Sequence, residues 1–424
     1  MKERKSLKRL NRRTFLKGCG ATIGLATVST GFPNIVRGKT PDEVLIGCIN
    51  PLSGPTAREG GYAHNGVLLA VDDINNGGGI KSLGGAKLKL LVADCVMDPS
   101  KGMSEAEKMI KAGVSVLLGC FVSAITMAAT QVAEKYQVPF IVDISMGDAI
   151  TERGFKYTFR TGFKTELLAL QYYEYVDLLS KATNTPIRTG VYLHESGLYG
   201  QSWRKCLMKH ADKQSSFKII DYIAYPTQTR DMTSEVLKAK ALKPDIILST
   251  NYSQDAILMM RTIYEQRVNC LGVVSPASAG IADPVFGKSL GKISDYVMST
   301  AVAVNWKNPK TIDVLDRYVK RFNEPWQQNV IFSYDAMLVI ADALERAAST
   351  DRKKIRDAIA QTNFSDYRMY GRGPIRFNEH GDNINVFLSL AQWVNGKQQY
   401  VLPLDFAQTK FVFPVPRWSE RKID

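Results

Sequence analysis

The sequence predicts an α/β protein built from two doubly wound units, each with a parallel sheet, and three features of the chain indicate this fold. Short runs of β-branched and aliphatic residues alternate with amphipathic helical stretches from Val44 onwards. The strand-like runs are continuously apolar, which is typical of parallel strands whose two faces are both covered by helices. About 370 residues of this pattern exceed the usual size of one such domain, so two similar units are expected.

The predicted elements follow a regular alternating order. The strand candidates are Val44–Ile49, Leu88–Ala93, Val114–Leu118, Phe140–Asp143, Thr189–Leu193, Lys218–Ala224, Ile246–Ser249 and Gly272–Val274. The helix candidates are Ala63–Ile74, Ser100–Lys111, Ser123–Tyr136, Thr165–Leu179, Ser202–His210, Thr229–Lys240 and Asp255–Gln266. The less regular elements are a linking strand near Tyr157–Phe163, the segment Tyr296–Val304, a helix at Tyr334–Ala348, and a hairpin pattern of Gly373–Phe377 and Val386–Val394 with a turn at Asn395-Gly396.

The basic residues of the chain are concentrated at its N-terminus. The whole sequence has a net charge of +14, but residues 1–38 contain nine basic side chains and one acid, which leaves +6 for the remainder. No basic run interleaved with aromatic residues occurs beyond this segment, so the sequence does not favour nucleic-acid binding. The sequence also has no uninterrupted apolar run of about 18 residues, which is the length that a membrane-spanning helix needs.

Residues 1–38 have the layout of an export signal. Arg12-Arg13 is followed by Phe15-Leu16-Lys17 and then by a short apolar stretch, Gly18–Phe32, that is diluted by Thr, Ser and Gly. This order is typical of a twin-arginine signal, which sends folded protein across the bacterial inner membrane. Cleavage after Gly38 would release the mature protein into the periplasm.

The sequence contains no signature of an enzyme or of a metal site. The Gly-x-Ser-x-Gly, phosphate-loop, His-Glu-x-x-His and dinucleotide-binding motifs are all missing. The five cysteines after the leader are an odd number in an oxidising compartment, and no histidine stands near them at a ligand spacing. We therefore expect a protein without catalytic activity, cofactor or metal.

Polar motifs follow the ends of the predicted strands, which is where open α/β sheets bind ligands. Pro51–Ala57 follows the first strand, Asp94-Cys95 the second, Ser123 the third and Ser145-Met146-Gly147 the fourth. In this order the chain resembles the type I periplasmic solute-binding proteins of ABC importers, in the branch of the leucine/isoleucine/valine, amide and urea receptors. The likeness extends from Val44 to about Val401 and includes Tyr334-Asp335-Ala336, Gly373-Pro374-Ile375-Arg376-Phe377 and Gly381-Asp382.

The resemblance implies two lobes joined by three crossovers, with a ligand trapped as the lobes close. Lobe 1 would comprise residues 39–162 and 301–378, and lobe 2 residues 163–300 and 379–424. The chain would be a monomeric receptor that hands a small polar solute to inner-membrane ABC permease subunits. A periplasmic sensor for a membrane receptor remains an alternative, and an exported α/β enzyme is a third.

The resemblance also implies where a ligand carboxylate would bind. Ser123 would offer its hydroxyl and amide, and the amides of a helix N-terminus favour an anion in any case. The alternative is that Ser123 only caps its helix. Met146 stands where the family places a threonine, with Ser145 beside it.

Aromatic side chains would form the opposite wall. Tyr199 and Tyr252 match two cleft tyrosines of the family, although a tyrosine at a strand end can equally cover the core. Glu59 occupies a place where the amino-acid binders carry an aromatic ring, or else is a solvated loop acid. The family's amino-acid binders further imply a disulfide between Cys95 and Cys120, for which Cys48 is a competing partner.

The expected ligand differs from a branched-chain amino acid. In the resemblance a glutamate that binds the ligand's ammonium follows the strand that here reads Gly272–Ala277, and this stretch contains no acid. A buried ammonium without a counter-charge is unfavourable. Either Glu59, Asp143 or Glu195 supplies the charge, or the ligand is an amide, a urea-like compound or a carboxylic acid, which we favour.

Overall fold

The strands of the computed structural model form two separate sheets. The model describes residues 41–211 and 217–423, so the predicted export signal lies outside the described residues. The strands are β1 (Glu43–Asn50), β2 (Lys87–Asp94), β3 (Val116–Gly119), β4 (Phe140–Val142), β5 (Thr158–Arg160), β6 (Thr189–Glu195), β7 (Lys218–Tyr225), β8 (Ile246–Thr250), β9 (Gly272–Ser275), β10 (Met298–Val302), β11 (Leu388–Val394) and β12 (Lys397–Leu402). 

Helices connect these strands and cover the faces of both sheets. They are α1 (Ala57–Asn76), α2 (Pro99–Lys111), α3 (Ser123–Lys135), α4 (Thr165–Ala182), α5 (Leu198–His210), α6 (Thr233–Ala241), α7 (Ser253–Glu265), α8 (Pro284–Leu290), α9 (Pro309–Phe322), α10 (Gln328–Ala347) and α11 (Arg352–Ala360). Among the described residues, no helix has both the length and the apolar character needed to cross a bilayer.

The topology confirms the predicted two-sheet α/β fold. The first sheet has the order β2-β1-β3-β4-β5, and all its pairings are parallel. The second has the order β12-β11-β10-β9-β8-β6-β7 and is parallel from β7 to β10. Strands β11 and β12 extend it as an antiparallel edge. Residues of β3, β4 and β8 are buried throughout, as parallel strands covered on both faces require.

The chain passes between the two sheets three times, as the resemblance implies. It leaves the first sheet after β5, returns after β10 to form helices that pack against the first sheet, and goes back to the second sheet before β11. We call the first sheet with α1–α3 and α9–α11 lobe 1, and the second sheet with α4–α8 lobe 2. Strand β10 spans the predicted boundary at residue 301, and the residue-level boundaries stay a prediction.

The terminal hairpin differs from the sequence-based expectation. The turn at Asn395-Gly396 joins β11 to β12, whereas Gly373–Phe377 forms only isolated bridges, such as the one between Ile375 and Phe364. Pro374 has no amide hydrogen for a continuous ladder, which explains why this segment does not become a strand.

Helix α1 crosses α10 at a point where only glycine fits, and this contact gives a first prediction. A Cβ added to Gly66 would lie 2.1 Å from the carbonyl oxygen of Val330, so Gly66→Ala must push the two helices apart. We expect a loss of about 1–3 kcal/mol in the free energy of unfolding, measured by urea denaturation. Gly61→Ala on the same helix is the control, because its Cβ would meet nothing within 4 Å and should stabilise the helix. Equal effects of the two substitutions would contradict this account of the helix crossing.

Candidate ligand-binding site

A cavity lies between the two lobes and brings together most of the residues predicted from the sequence; the space inside it, part of which is open to solvent, is about 510 Å³. Five of the six predicted ligand-binding residues line it, namely Ser123, Ser145, Met146, Tyr199 and Tyr252. They meet there because each follows the carboxyl end of a parallel strand, and these ends face the same edge of their sheet. The exception is Glu59, which lies outside the lining.

Four helices begin at this cavity. Ser123 is the first residue of α3, Tyr199 the second of α5 and Gln328 the first of α10, while Tyr252 immediately precedes α7. The first amides of each helix have no acceptor within the helix and carry partial positive charge. Within the described lining, no Asp, Glu, Lys, Arg or His is present. The lining therefore offers helix N-termini and no ionised side chain, although the acids Glu59, Glu195 and Asp255 act on Tyr252 from behind the wall.

Side chains of the protein already satisfy three of these N-termini. Glu195 accepts hydrogen bonds from the amides of Gly197 and Gly200 at α5, at 2.5 and 2.6 Å. A carboxylate oxygen of Glu59 accepts the Ser253 amide of α7 at 3.2 Å. At α10 the side chain of Gln327 accepts the amide of the second residue at 2.6 Å.

The N-terminus of α3 differs from these three. Its N-cap residue is Val122, an aliphatic residue whose side chain cannot accept a hydrogen bond. The hydroxyl of Ser123 accepts a hydrogen bond from the amide of Gly147 at 3.3 Å, which leaves its own proton available for a ligand. Ser123 is the first residue of α3, and no side-chain hydrogen bond caps this helix, so the binding role of Ser123 stays a prediction.

Ser145 and Met146 line the cavity, but hydrogen bonds within the protein already use some of their polar groups. The Ser145 hydroxyl donates to the carbonyl oxygen of Phe121 at 2.8 Å and lies 2.6 Å from the hydroxyl oxygen of Thr126. Its proton is therefore used inside the protein. The backbone carbonyl oxygen of Met146 accepts hydrogen bonds from Arg160 and Thr165, so Met146 would contact a ligand through its side chain.

The two tyrosines form an aromatic wall. The ring centroids of Tyr199 and Tyr252 are 5.7 Å apart, and the ring of Phe121 lies 5.9 Å from that of Tyr252. The Tyr199 hydroxyl donates to the carbonyl oxygen of Ala277 at 3.3 Å. Both rings are buried and line the cavity, so they are parts of the core and of the cavity wall at once.

None of the three acids considered as partners for a ligand ammonium lines the cavity. Glu59 is only 1% exposed, so it is not a solvated loop acid, and burial raises the pKa of its carboxyl. Burial raises the pKa of Asp143 to about 6, and this carboxylate accepts a hydrogen bond from the Ser333 hydroxyl. Glu195 is used by the α5 amides.

The predicted disulfide between Cys95 and Cys120 is not formed in the structure, where both residues are buried free thiols. The sulfur of Cys95 is 3.8 Å from the carbonyl oxygen of Val96, to which it donates. Cys48 is also a buried free thiol, and burial raises the pKa values of Cys48 and Cys95 to about 12. No group of three or more His, Cys, Asp or Glu side chains in the described part of the chain is arranged to hold a metal ion.

Several lining residues were not found from the sequence. They include Phe121, Ser278, Thr300, Gln328, Asn329 and Phe332. The helix pattern from Tyr334 onwards predicted only part of α10, which begins six residues earlier, at Gln328. A Gln-Gln-Asn stretch ahead of an apolar helix was the available signal, because Gln327 caps this helix through its side chain.

Comparison with known proteins shows that this chain is similar to a family of binding proteins. The family model described as "Periplasmic binding protein" matches residues 43–398. The Leu/Ile/Val-binding protein homolog 8 of Brucella suis is 26% identical over 407 residues, which cover 93% of this chain and 98% of the relative.

Two solved structures show how widely the fold is shared. The branched-chain amino acid transporter substrate binding protein LivJ of Streptococcus pneumoniae, in complex with isoleucine, has a TM-score of 0.73 at 20% identity, covering 84% of this chain and 97% of that one. A solute binding protein of an ABC transporter from Rhodopseudomonas palustris, in complex with 3,4-dihydroxy benzoic acid, has a TM-score of 0.73 at 19% identity, covering 89% and 99%. At these identities the likeness establishes the fold alone.

Proposed function

The chain belongs to the periplasmic binding protein family, and on that premise we propose that it is the extracytoplasmic binding component of an ABC importer for a small carboxylate without an α-ammonium group. The family consists of binding proteins that are not enzymes. The observation that carries the proposal is the uncapped N-terminus of α3 at a cavity whose lining has no ionised side chain.

A single carboxylate fits the electrostatics of the cavity. Amides at a helix N-terminus and the Ser123 hydroxyl are suitable donors to a carboxylate. The other three N-termini are satisfied by Glu195, Glu59 and Gln327, so only α3 lacks a side-chain acceptor. This favours a monoanion over a dicarboxylate.

An α-ammonium group would have no partner in the cavity. Burying it without a counter-charge costs several kcal/mol even after relaxation, by the order of magnitude usual in proteins. Tyrosine hydroxyls and carbonyl oxygens would offset only part of this cost. Of the two solved relatives, the one that holds 3,4-dihydroxy benzoic acid carries a ligand of the chemistry proposed here, and the one that holds isoleucine does not.

The body of the ligand is expected to be apolar and flat. Phe121, Tyr199, Tyr252 and Phe332 supply aromatic surface, and such rings give rigid contact area at low entropic cost. The amide side chain of Gln328 can bind a hydroxyl or carbonyl substituent of the ligand, whereas that of Asn329 already donates to the backbone carbonyl oxygen of Glu59. An aromatic monocarboxylate meets all three conditions.

A thermal-shift screen of the exported protein tests this proposal. We expect benzoates and other aromatic or branched carboxylates to stabilise the protein by about 2.7 kcal/mol when present at 100 times their dissociation constant. Benzamide, urea-like compounds and amino acids should stabilise it less. The matched control is Ser123→Ala, which should reduce the shift for benzoate and leave that for an uncharged binder unchanged. Stabilisation by amino acids alone would refute the ligand class.

Delivery to a permease is a separate part of the proposal. The N-terminal leader would direct the chain to the periplasm through the twin-arginine route, and closure of the lobes would present the ligand to inner-membrane subunits. Uptake of a radiolabelled ligand into cells that retain or lack the chain tests this part. Loss of uptake without the chain is expected, whereas unchanged uptake combined with a lost transcriptional response would indicate the alternative sensor.

A further inference from the structure

A second set of contacts joins the two lobes beside the cavity and involves acids that the ligand does not need. Glu59 stands in the first turn of α1 in lobe 1, and Ser253 is the first residue of α7 in lobe 2. The Ser253 hydroxyl oxygen lies 2.6 Å from Oε1 of Glu59 and 2.9 Å from Oδ2 of Asp283, the N-cap of α8. Arg58 of lobe 1 pairs with Asp283 at 3.2 Å.

The Ser253 hydroxyl cannot donate to two ionised carboxylates at once, although the Ser253 amide also donates to Oε1 of Glu59, at 3.2 Å. A serine hydroxyl has one proton, so it can donate to Glu59 or to Asp283 but not to both. Asp283 already has the Arg58 guanidinium and the Val285 amide as partners, at 3.2 and 2.9 Å, which favour its ionised form. The hydroxyl then donates to Asp283, and a proton on Glu59 completes the second hydrogen bond, from Glu59 to the serine oxygen.

The surroundings of Glu59 favour this protonated form. Burial raises the pKa of Glu59, and its Oε2 atom has no hydrogen-bond partner among the described residues. Burial likewise raises the pKa of Asp283, and that of Asp255 on α7 to about 7. The ionisable groups that face this junction include Arg58 and Tyr62 on α1, Tyr252 and Asp255 on or next to α7, Asp283 at the N-cap of α8, and Glu195 of β6, whose charge acts on Asp255.

We propose that Glu59, Ser253 and Asp283 form a proton-carrying latch between the lobes, so that closure, and with it ligand affinity, strengthens as the pH falls. The latch acts on the lobe closure that the proposed function requires, but its chemistry is independent of which ligand is bound. Separation of the lobes would move Glu59 away from Ser253 and into water, where its pKa returns to the ordinary range. The closed form therefore holds a proton that the open form releases.

The sign of the pH dependence follows from the raised pKa of Glu59. Between the pKa of the open form and that of the closed form, only the closed form keeps the proton, and the closing equilibrium weakens by up to tenfold for each pH unit of increase. Above the pKa of the closed form, closure buries a charged carboxylate and the equilibrium stays at its lower value. Affinity is thus greatest on the acidic side.

Small-angle X-ray scattering of the protein without added ligand tests the latch even if no ligand has been identified. The radius of gyration of the wild type is expected to be smaller at about pH 5.5 than at about pH 8. Glu59→Gln, which mimics the protonated acid, should be compact at both pH values. Any pH dependence of the radius that remains in this variant should disappear in Glu59→Gln/Asp255→Asn. Ser253→Ala, which removes the bridging hydroxyl, should be more open at both values.

The control is Glu43→Gln, because Glu43 is an exposed acid at the start of β1, the end of that strand opposite to α1 and the latch, and it pairs with Lys89. It should keep the wild-type pH profile.

Calorimetry with 3-phenylpropanoate, in buffers of different ionisation enthalpy, should count proton uptake on binding that Glu59→Gln lacks. If none of the tested carboxylates binds, the proposed ligand class is wrong, and the scattering experiment still tests the latch. A wild-type radius that does not change with pH, or an identical profile for Glu59→Gln, overturns it.

Discussion

Replacing Tyr252 with alanine is expected to weaken ligand binding by about thirtyfold or more, with a much smaller effect on the melting temperature. The ring of Tyr252 stands between Phe121 of lobe 1 and Tyr199 of lobe 2 and lines the cavity. Removal of such a desolvated aromatic anchor typically costs about 2 kcal/mol or more in binding, which corresponds to that factor. Tyr199→Ala is expected to act in the same way.

The matched control for Tyr252 is a tyrosine on α7, the helix that Tyr252 immediately precedes, and this tyrosine does not line the cavity. Tyr264 packs against Trp418, with ring centroids 5.3 Å apart, so Tyr264→Ala should lower the melting temperature and leave the affinity intact. Calorimetric titration with a carboxylate from the screen, together with thermal unfolding, measures both quantities. The opposite ranking of the two variants would assign Tyr252 to the core alone.

Replacing Arg160 with methionine is expected to cost about 3–5 kcal/mol in the free energy of unfolding, the range typical of breaking a buried ion pair. The Arg160 side chain is fully buried and lies 3.2 Å from a carboxylate oxygen of Asp382. Its guanidinium also donates to the carbonyl oxygens of Met146 and Gly147, at 2.8 and 2.9 Å. The substitution would leave the buried Asp382 carboxylate without its counter-charge and would remove one donor from each of these two carbonyls.

The substitution should also weaken ligand binding, because Arg160 fixes the backbone of Met146, which lines the cavity. Asp382→Asn added to Arg160→Met should restore part of the stability, since it removes the uncompensated charge. Arg317→Met is the control: Arg317 pairs with Asp73 near the surface, at 2.7 Å, and such exposed pairs contribute about 1 kcal/mol or less. Urea denaturation of the three variants measures these losses, and equal losses for Arg160→Met and Arg317→Met would contradict the role given to burial.

The strands were predictable because continuous apolar runs have few other uses in a chain of this kind. Val44–Ile49 and Ile246–Ser249 agree with β1 and β8 to within one residue at each end. Helix starts were less predictable. Helix α1 begins at Ala57 and not at Ala63, because Gly60 and Gly61 resemble a turn in the sequence although the helix passes through them.

The site was predictable where a residue directly follows a strand. Ser123, Tyr199 and Tyr252 are of this kind, since the topology of a parallel sheet brings strand ends together. Phe332 was not predictable, because on α10 it is indistinguishable in sequence from the core residues around it. The contact of Glu59 with Ser253 joins residues that are far apart in the chain, and no local pattern encodes it.

Two pairs of compounds that differ only by the α-ammonium group test whether the cavity selects against amino acids. They are leucine with 4-methylpentanoate, and phenylalanine with 3-phenylpropanoate, each titrated into the protein by calorimetry at a fixed pH. In each pair we expect the carboxylate without an ammonium group to bind at least tenfold more tightly, because no acid lines the cavity to pair with the ammonium. Tighter binding of leucine or phenylalanine than of its partner, unaffected by Glu59→Gln, Asp143→Asn and Glu195→Gln, would contradict this expectation.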